Sequence, residues 1–337
     1  MVDCSPVFLL GAGFSVDASS EAGFPIVSSS GLKAHYPMIG DLLESCFGIA
    51  ALPPEKSIED MFQDSIDRHD PKPFKALCDI LMEADYYITR RLKQDGSHSN
   101  NVYTKFLEDF PESPLLTYNY DSLLEVLLLA NRTWCPIDGY GVPVEAFQGT
   151  IRHGKPPVNK SLRPVLHLHG SLCVYAVTFY IEKSHDSGPN MMRFDRDPRF
   201  LFSPEEIGNC FFPFEKVPPG PGYELTPERV IAPIPDKAKG LKGAFITAVY
   251  DRAVSELKKA NQIIAIGYSF NTHDRSSYEE LLGSFHGKEV LLVGPDAIEL
   301  DKRLASEYPK IEWQAEPKSF KDWVINDYPG VCKHTNG

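Results

Sequence analysis

The chain has 337 residues, 42% hydrophobic and 24% charged, close to the average of folded globular proteins, so neither a disordered nor a collagen-like chain fits. Lys+Arg 34 against Asp+Glu 46 gives 34 − 46 = −12, with no basic run to offset it, which argues against a nonspecific nucleic-acid or anionic-membrane surface. No apolar stretch reaches the roughly 18 to 20 residues of a bilayer-spanning helix, and Met1-Val2-Asp3-Cys4 lacks the basic patch of a secretory signal; the expected compartment is the cytoplasm.

Seven cysteines stand at 4, 46, 78, 135, 173, 210 and 332. They are widely spaced and odd in number, unlike a disulfide framework or a zinc site, so no metal is expected.

In chain order, the apolar run Ser5-Pro6-Val7-Phe8-Leu9-Leu10 closes on Gly11-Ala12-Gly13-Phe14-Ser15 and predicts a buried strand, a glycine turn and a helix. Helical spacing follows, with Ile58, Met61, Phe62 and Ile66 on one face, and Phe74, Leu77, Ile80, Leu81 and Ala84 on another. Residues of about 27–112 are expected to form a helical insertion. Pro114 to Asn119 reads as a short strand, and Ser122 to Ala130 as a leucine-rich helix with Glu125 near its start. Val165-Leu166-His167-Leu168-His169-Gly170 alternates like a strand that stops at glycine. The stretch 201–239 holds eight prolines, so an irregular insertion of about 176–240 is expected.

Regularity returns with a helix near 242–260, a strand 262–266, a helix near 278–285 and a strand 290–293. A last strand and helix follow at 311–313 and 319–325. Strands alternating with helices predict an α/β fold, a doubly wound parallel sheet of the Rossmann-like kind, in a single domain 1–337 carrying the two insertions.

Gly11-Ala12-Gly13 between strand and helix suits a diphosphate, because glycine admits close backbone approach and a helix N-terminus presents free N–H groups. Plain strand-to-helix geometry explains the same residues, and the third glycine of the full dinucleotide fingerprint is absent. Ser15 can donate to a phosphate or cap the helix. Asn119 and Asp121 fall at the carboxyl end of a strand, where open α/β sheets bind ligands, yet both can equally cap the helix at Ser122. His167 and His169, two residues apart, are expected on one strand face. Gly267-Tyr268-Ser269 and Gly294-Pro295-Asp296 end two further strands in the same way. Together the four strand ends predict one ligand groove along the carboxyl edge of the sheet.

Gly11-Ala12-Gly13-Phe14-Ser15, Thr117-Tyr118-Asn119-Tyr120-Asp121, His169-Gly170-Ser171 and Gly267-Tyr268-Ser269, in this order, resemble the sirtuin-like domain family, in particular its bacterial branch found in antiphage defence. Ile231 to Lys237 also looks like a segment of that branch. The resemblance implies an NAD+ site in which Gly11, Ala12, Gly13 and Ser15 hold the diphosphate, with Gly267, Ser269 and Asp296 toward the phosphates and adenosine ribose. Asp121 would face the nicotinamide carboxamide, and Asn119 and His169 would be the catalytic pair. Between the two histidines, Gly170 and the family pattern choose His169.

The chain departs from deacetylating sirtuins in having no Cys-x-x-Cys pair. Gly23-Phe24-Pro25-Ile26 lacks their following Phe-Arg, and Tyr118 stands where they carry glutamine. The resemblance therefore implies an NAD+ hydrolase, releasing nicotinamide and ADP-ribose, rather than a protein deacylase. ADP-ribosyl cyclisation and a noncatalytic NAD+ or ADP-ribose sensor are the alternatives. It further implies NAD+ as substrate, no metal, a homo-oligomer, and a separately encoded partner such as an ATPase or an Argonaute-like protein.

Overall fold

The computed structural model describes residues 6–15, 102–142, 160–171 and 244–331 with most of their side chains, and short pieces between 47 and 73. It also describes the backbone of 145–148, 174–181, 192–195, 199–202 and 223–227. In chain order the elements are β1 (Val7–Leu10), α1 (Ile58–Asp67), α2 (Val102–Asp109), β2 (Leu115–Thr117), α3 (Leu123–Ala130), the single-turn α4 (Pro136–Gly139), β3 (Glu145–Gln148) and β4 (Val165–His167). They continue with β5 (Val174–Ile181), β6 (Met192–Asp195), β7 (Arg199–Phe202), β8 (Tyr223–Pro227), α5 (Ala244–Lys259) and β9 (Gln262–Ile266). The last are α6 (Arg275–Leu282), β10 (Glu289–Val293), α7 (Ala297–Glu307), β11 (Glu312–Glu316) and α8 (Phe320–Ile325). A further helix starts at residue 12.

Six strands form one all-parallel sheet in the spatial order β11-β10-β9-β1-β2-β4. Ranked by their place in the chain this is 6-5-4-1-2-3, the doubly wound Rossmann-like arrangement, and the order reverses between β1 and β9. β1, β2, β4 and β9 are buried along their whole length, as a sheet covered on both faces requires. The strands also end level. Leu10 pairs with Thr117 and Ile266, Thr117 with His167, and Val293 with both Ile266 and Glu316, so the last residues of all six strands make one row.

α3 reads Leu-Leu-Glu-Val-Leu-Leu-Leu-Ala and is buried from Leu123 to Leu129, the signature of a helix enclosed on all sides. α2 packs against both α3 and α8, and α2 and α8 meet the sheet through an aromatic cluster. Phe106 sits 4.7 Å from Phe8 and 5.4 Å from Phe320, and Phe320 lies 4.7 Å from Phe14. Ser319 caps α8 by accepting the Asp322 N–H, as serine at that position does.

The stretch expected to be irregular contains strands. β5 pairs antiparallel with β7 at 174–175 and with β6 at 178–181, and β8 runs antiparallel along 175–179 on its other edge. β3 adds parallel to β7. The prolines at 204, 213, 218, 219, 221, 233 and 235 fall between or beyond these strands. Of the expected helical insertion 27–112, the structure describes α1 and α2; most of the rest, and the segment 231–237, lie outside the described residues. No helix among the described residues is long and apolar enough to cross a membrane.

Candidate functional site

The carboxyl edge of the sheet is a straight rim. Beyond five of the six strands, all but the edge strand β11, the next residue donates its N–H to the last carbonyl of the neighbour: Leu168 to Thr117 (2.8 Å), Tyr118 to Leu10 (3.0 Å), Gly11 to Ile266 (3.0 Å), Gly267 to Val293 (2.9 Å) and Gly294 to Glu316 (3.2 Å). All four sequence motifs leave the sheet at one height. At about 4.8 Å per strand, the rim from the end of β4 to the end of β10 runs roughly 19 Å.

At the reversal point the glycine loops of β1 and β9 interlock. Gly13 donates to the Gly267 carbonyl at 2.9 Å. A Cβ on Gly11 would stand 2.5 Å from the Gly267 carbonyl oxygen and the Tyr268 Cα, and one on Gly267, whose φ is +58°, would stand 2.5 Å from Gly13 and from the Phe14 nitrogen. These glycines are thus required by contacts within the protein itself. With the N–H groups of Gly11, Gly13 and Phe14 all donating within the fold, the Ala12 N–H at the helix start faces no acceptor among the described residues. From behind, the Tyr103 hydroxyl fastens the turn by donating to the Phe14 carbonyl at 2.6 Å.

Ser15, Asn119 and Asp121, 104 and 106 residues apart in sequence, form one hydrogen-bonded chain. The Asn119 amide donates to the Gly11 carbonyl (3.0 Å) and to Ser15 Oγ (2.9 Å), and Ser15 donates to Asp121 Oδ2 (2.9 Å). A carbonyl can only accept, so the amide's orientation is fixed: both N–H groups point into the protein, and Oδ1 is the atom Asn119 can offer a ligand. Fully buried Ser15 thus acts as a relay between Asn119 and Asp121. Asp121 Oδ1 accepts the Leu123 N–H at 3.2 Å, so of Asn119 and Asp121 it is Asp121 that meets the first backbone N–H of α3, from the residue before the N-cap Ser122. Burial raises the Asp121 carboxyl above its ordinary pKa, against the Ser15 and Leu123 hydrogen bonds that lower it.

The two histidines do not share a face. β4 ends at His167, the chain turns through Leu168 and His169, and the imidazoles reach different helices. His167 meets Glu125 of α3 at 2.8 Å, with Nδ1 3.1 Å from the Asn119 carbonyl. His169 packs between Tyr118 and Tyr120, at ring separations of 4.6 and 6.1 Å, with Nε2 3.5 Å from Ser277 Oγ of α6 and 3.9 Å from Asp274. Tyr118 also stacks on Tyr268 at 4.4 Å and 5°, and burial holds both phenols well above their ordinary pKa.

The structure therefore gathers Gly11, Gly13, Ser15, Asn119, Asp121 and Gly267 into one contiguous group. His169 stands beside it, against the rings on either side of Asn119. The Asn119 amide and the His169 imidazole are not hydrogen-bonded to each other among the described contacts. Ser269 is exposed, and its carbonyl accepts from Arg303 of α7 at 2.7 Å. Asp296 is exposed where α7 begins.

No protein-family model matches the chain, and no curated protein matches it. Among solved structures it is similar to a mutant Sir2 homologue in complex with ADP-ribose, at 19% identity over 95% of this chain and 88% of that one, with a TM-score of 0.41. It is also similar to a Sir2 homolog–NAD complex, at 17% identity over 95% and 86% with a TM-score of 0.38. A third is a Sir2–p53 peptide–NAD+ structure, at 12% identity over 96% and 91% with a TM-score of 0.42.

The sequence places Glu125 near a helix start but gives it no part in the site. Its signal was present: one carboxylate in a helix otherwise made of Leu, Val and Ala, where a charge is buried only with a partner. Tyr268, Ser277 and Arg303 carried no comparable mark.

Proposed function

We propose that the chain is an NAD+ glycohydrolase that cleaves the nicotinamide–ribose bond to give nicotinamide and ADP-ribose. The observation that carries this reading is the level rim, with two interlocked glycine turns where the strand order reverses and with Asn119, Asp121 and His169 alongside, at the position where open α/β sheets bind nucleotides. The diphosphate would lie over the Ala12 N–H at the helix start. Asn119 would present Oδ1 as acceptor to a ribose hydroxyl or to water, and Asp121 would border the carboxamide. Ser269 and Asp296, farther along the same rim, would meet the adenosine side.

The C1′–N bond breaks with its electron pair passing to the pyridinium nitrogen, so nicotinamide leaves neutral and the ribose carbon becomes oxocarbenium-like. Water then bonds to C1′ and gives up a proton to His169, which returns it to solvent. Because the leaving group is already cationic, positioning and electrostatics supply most of the rate. His169→Ala and Asn119→Ala each lower nicotinamide release by about a hundred- to ten-thousandfold with the fold intact. Turnover that survives both substitutions undiminished refutes the assignment.

One observation favours regulation or pure binding: His169 is only 3% exposed, so the proposed base is covered in this state. An effector of bacterial antiviral defence, held off until a homo-oligomer or a separately encoded partner opens the site, fits that burial. A sensor fits it as well; NAD+ binding by calorimetry with no nicotinamide released, alone or with the partner, identifies the sensor.

A further inference from the structure

Glu125 has 0% exposure inside the apolar helix α3, and one of its oxygens accepts two hydrogen bonds and faces an imidazole nitrogen at ion-pair distance. Oε1 lies 2.8 Å from His167 Nε2 and accepts from the Tyr140 hydroxyl at 3.0 Å and from Ser171 at 3.4 Å. Among the described residues neither Oε2 nor His167 Nε2 has a hydrogen-bond partner, so the 2.8 Å approach of Nε2 to Oε1 is a charge contact. His167, 1% exposed, reaches the Asn119 carbonyl with its other nitrogen at 3.1 Å. One carboxylate therefore grips residues 167 and 171, on both sides of His169, while its partner imidazole grips the backbone of Asn119.

We propose that Glu125 and His167 are positioning residues, a buried ion pair that locks the loop carrying Asn119 to the loop carrying His169 and sets the spacing at which the two meet a substrate. Stability alone does not call for the pair. A leucine at 125 would match its neighbours, and replacing a whole buried ion pair with packed hydrocarbon is often neutral or stabilising. What hydrocarbon cannot supply is direction. The Asn119 carbonyl can only accept, so Nδ1 carries the proton of that hydrogen bond, and the opposite edge of the ring is held by the charge contact of Nε2 with the Glu125 carboxylate. A displacement of about 1 Å between catalytic groups costs on the order of a hundredfold in rate.

The effect on turnover rests on the NAD+ hydrolase reading; the locking does not. Hydrogen–deuterium exchange on the full chain, followed in peptides covering 115–122 and 165–172, reads the lock directly. Glu125→Gln should speed exchange in both segments together by about tenfold, while β10 stays unchanged. Ser171→Ala should speed only 165–172. Unchanged exchange in Glu125→Gln, or a response confined to one segment, overturns the proposal. Should Glu125→Gln fail to fold, Tyr140→Phe deletes one of the two hydrogen-bond donors to Glu125 and carries the same comparison with a smaller effect on both segments. In the NADase assay, Glu125→Gln should lower kcat by at least about tenfold with KM for NAD+ nearly constant, because an interaction that orients reacting groups is expressed in the transition state. A KM rise with unchanged kcat overturns the positioning role. Absence of nicotinamide release from the wild type instead refutes the hydrolase reading and leaves the exchange result to decide the lock.

Discussion

Replacing Gly267 with alanine tests the construction of the rim at its most crowded point. The new Cβ would lie 2.5 Å from Gly13 Cα, Gly13 C and Phe14 N, where 3.4 Å begins ordinary contact. The β1 loop must therefore retreat by roughly 0.9 Å, a distance set by backbone that cannot rotate away. Overpacking of this kind costs about 1–3 kcal/mol. The left-handed φ of +58° adds about 1–2 kcal/mol for a residue with a Cβ. The sum, about 2–5 kcal/mol, is a large share of the ~5–15 kcal/mol that holds a typical domain.

Gly283 supplies the control within the same protein. It ends α6 with helical φ −56° and ψ −27°, and a Cβ there meets nothing within 4 Å. Gly283→Ala should stabilise by about 0.4–1 kcal/mol, through the lower entropy of the unfolded chain. Urea unfolding of the two variants, with midpoints compared at constant m, measures both changes. A Gly267→Ala loss below about 1 kcal/mol, or equal losses at both positions, would show that the β1 and β9 loops do not touch as described.

Two further consequences are open to measurement. Ser15→Ala leaves the Asn119 amide and the Asp121 carboxylate without their shared partner and should cost about 1–3 kcal/mol by urea unfolding; a loss within a few tenths removes the relay. His167 gives stability a pH dependence of known sign. Burial lowers its pKa, but the charge of Glu125 beside it, the Asn119 carbonyl and Asp121 outweigh that and raise it. The Tyr140 phenol also packs nearby, its ring 6.0 Å away. A raised folded pKa means that the stabilisation is complete below about pH 6.5 and is lost as the pH rises through the folded value, with a slope of at most about 1.4 kcal/mol per pH unit. Urea midpoints between about pH 6 and about pH 9 should fall in the wild type and lose this component in His167→Gln; parallel curves refute the assignment.

The sheet was legible because each central strand is a short apolar run that stops at glycine or a small polar residue, and both features survive in one dimension. Val7–Leu10, Leu115–Thr117, Val165–His167 and Gln262–Ile266 were all marked in this way. α7 was not named in the sequence, although Ala297, Leu300 and Leu304 repeat at helical spacing. The second sheet was missed because eight prolines were averaged over 39 residues. Most of them lie outside the strands they seemed to forbid, and the β-branched and aromatic run Val174–Ile181 was legible on its own terms.

The site divides along the same physical line. Which residues stand on the rim follows from where strands stop, and that is local. What each side chain does there follows from partners a hundred residues away, and a helix cap and a ligand contact use the same lone pairs, so residue type cannot separate them. Only the fold assigns Asp121 to the Leu123 N–H and to Ser15, and leaves Asn119 with an oxygen to offer. The histidines show the limit most sharply. Alternation predicts a shared face for residues 167 and 169, but it holds only while the strand lasts, and β4 ends two residues short of His169. That single turn sends one imidazole to a buried carboxylate and the other to the rim.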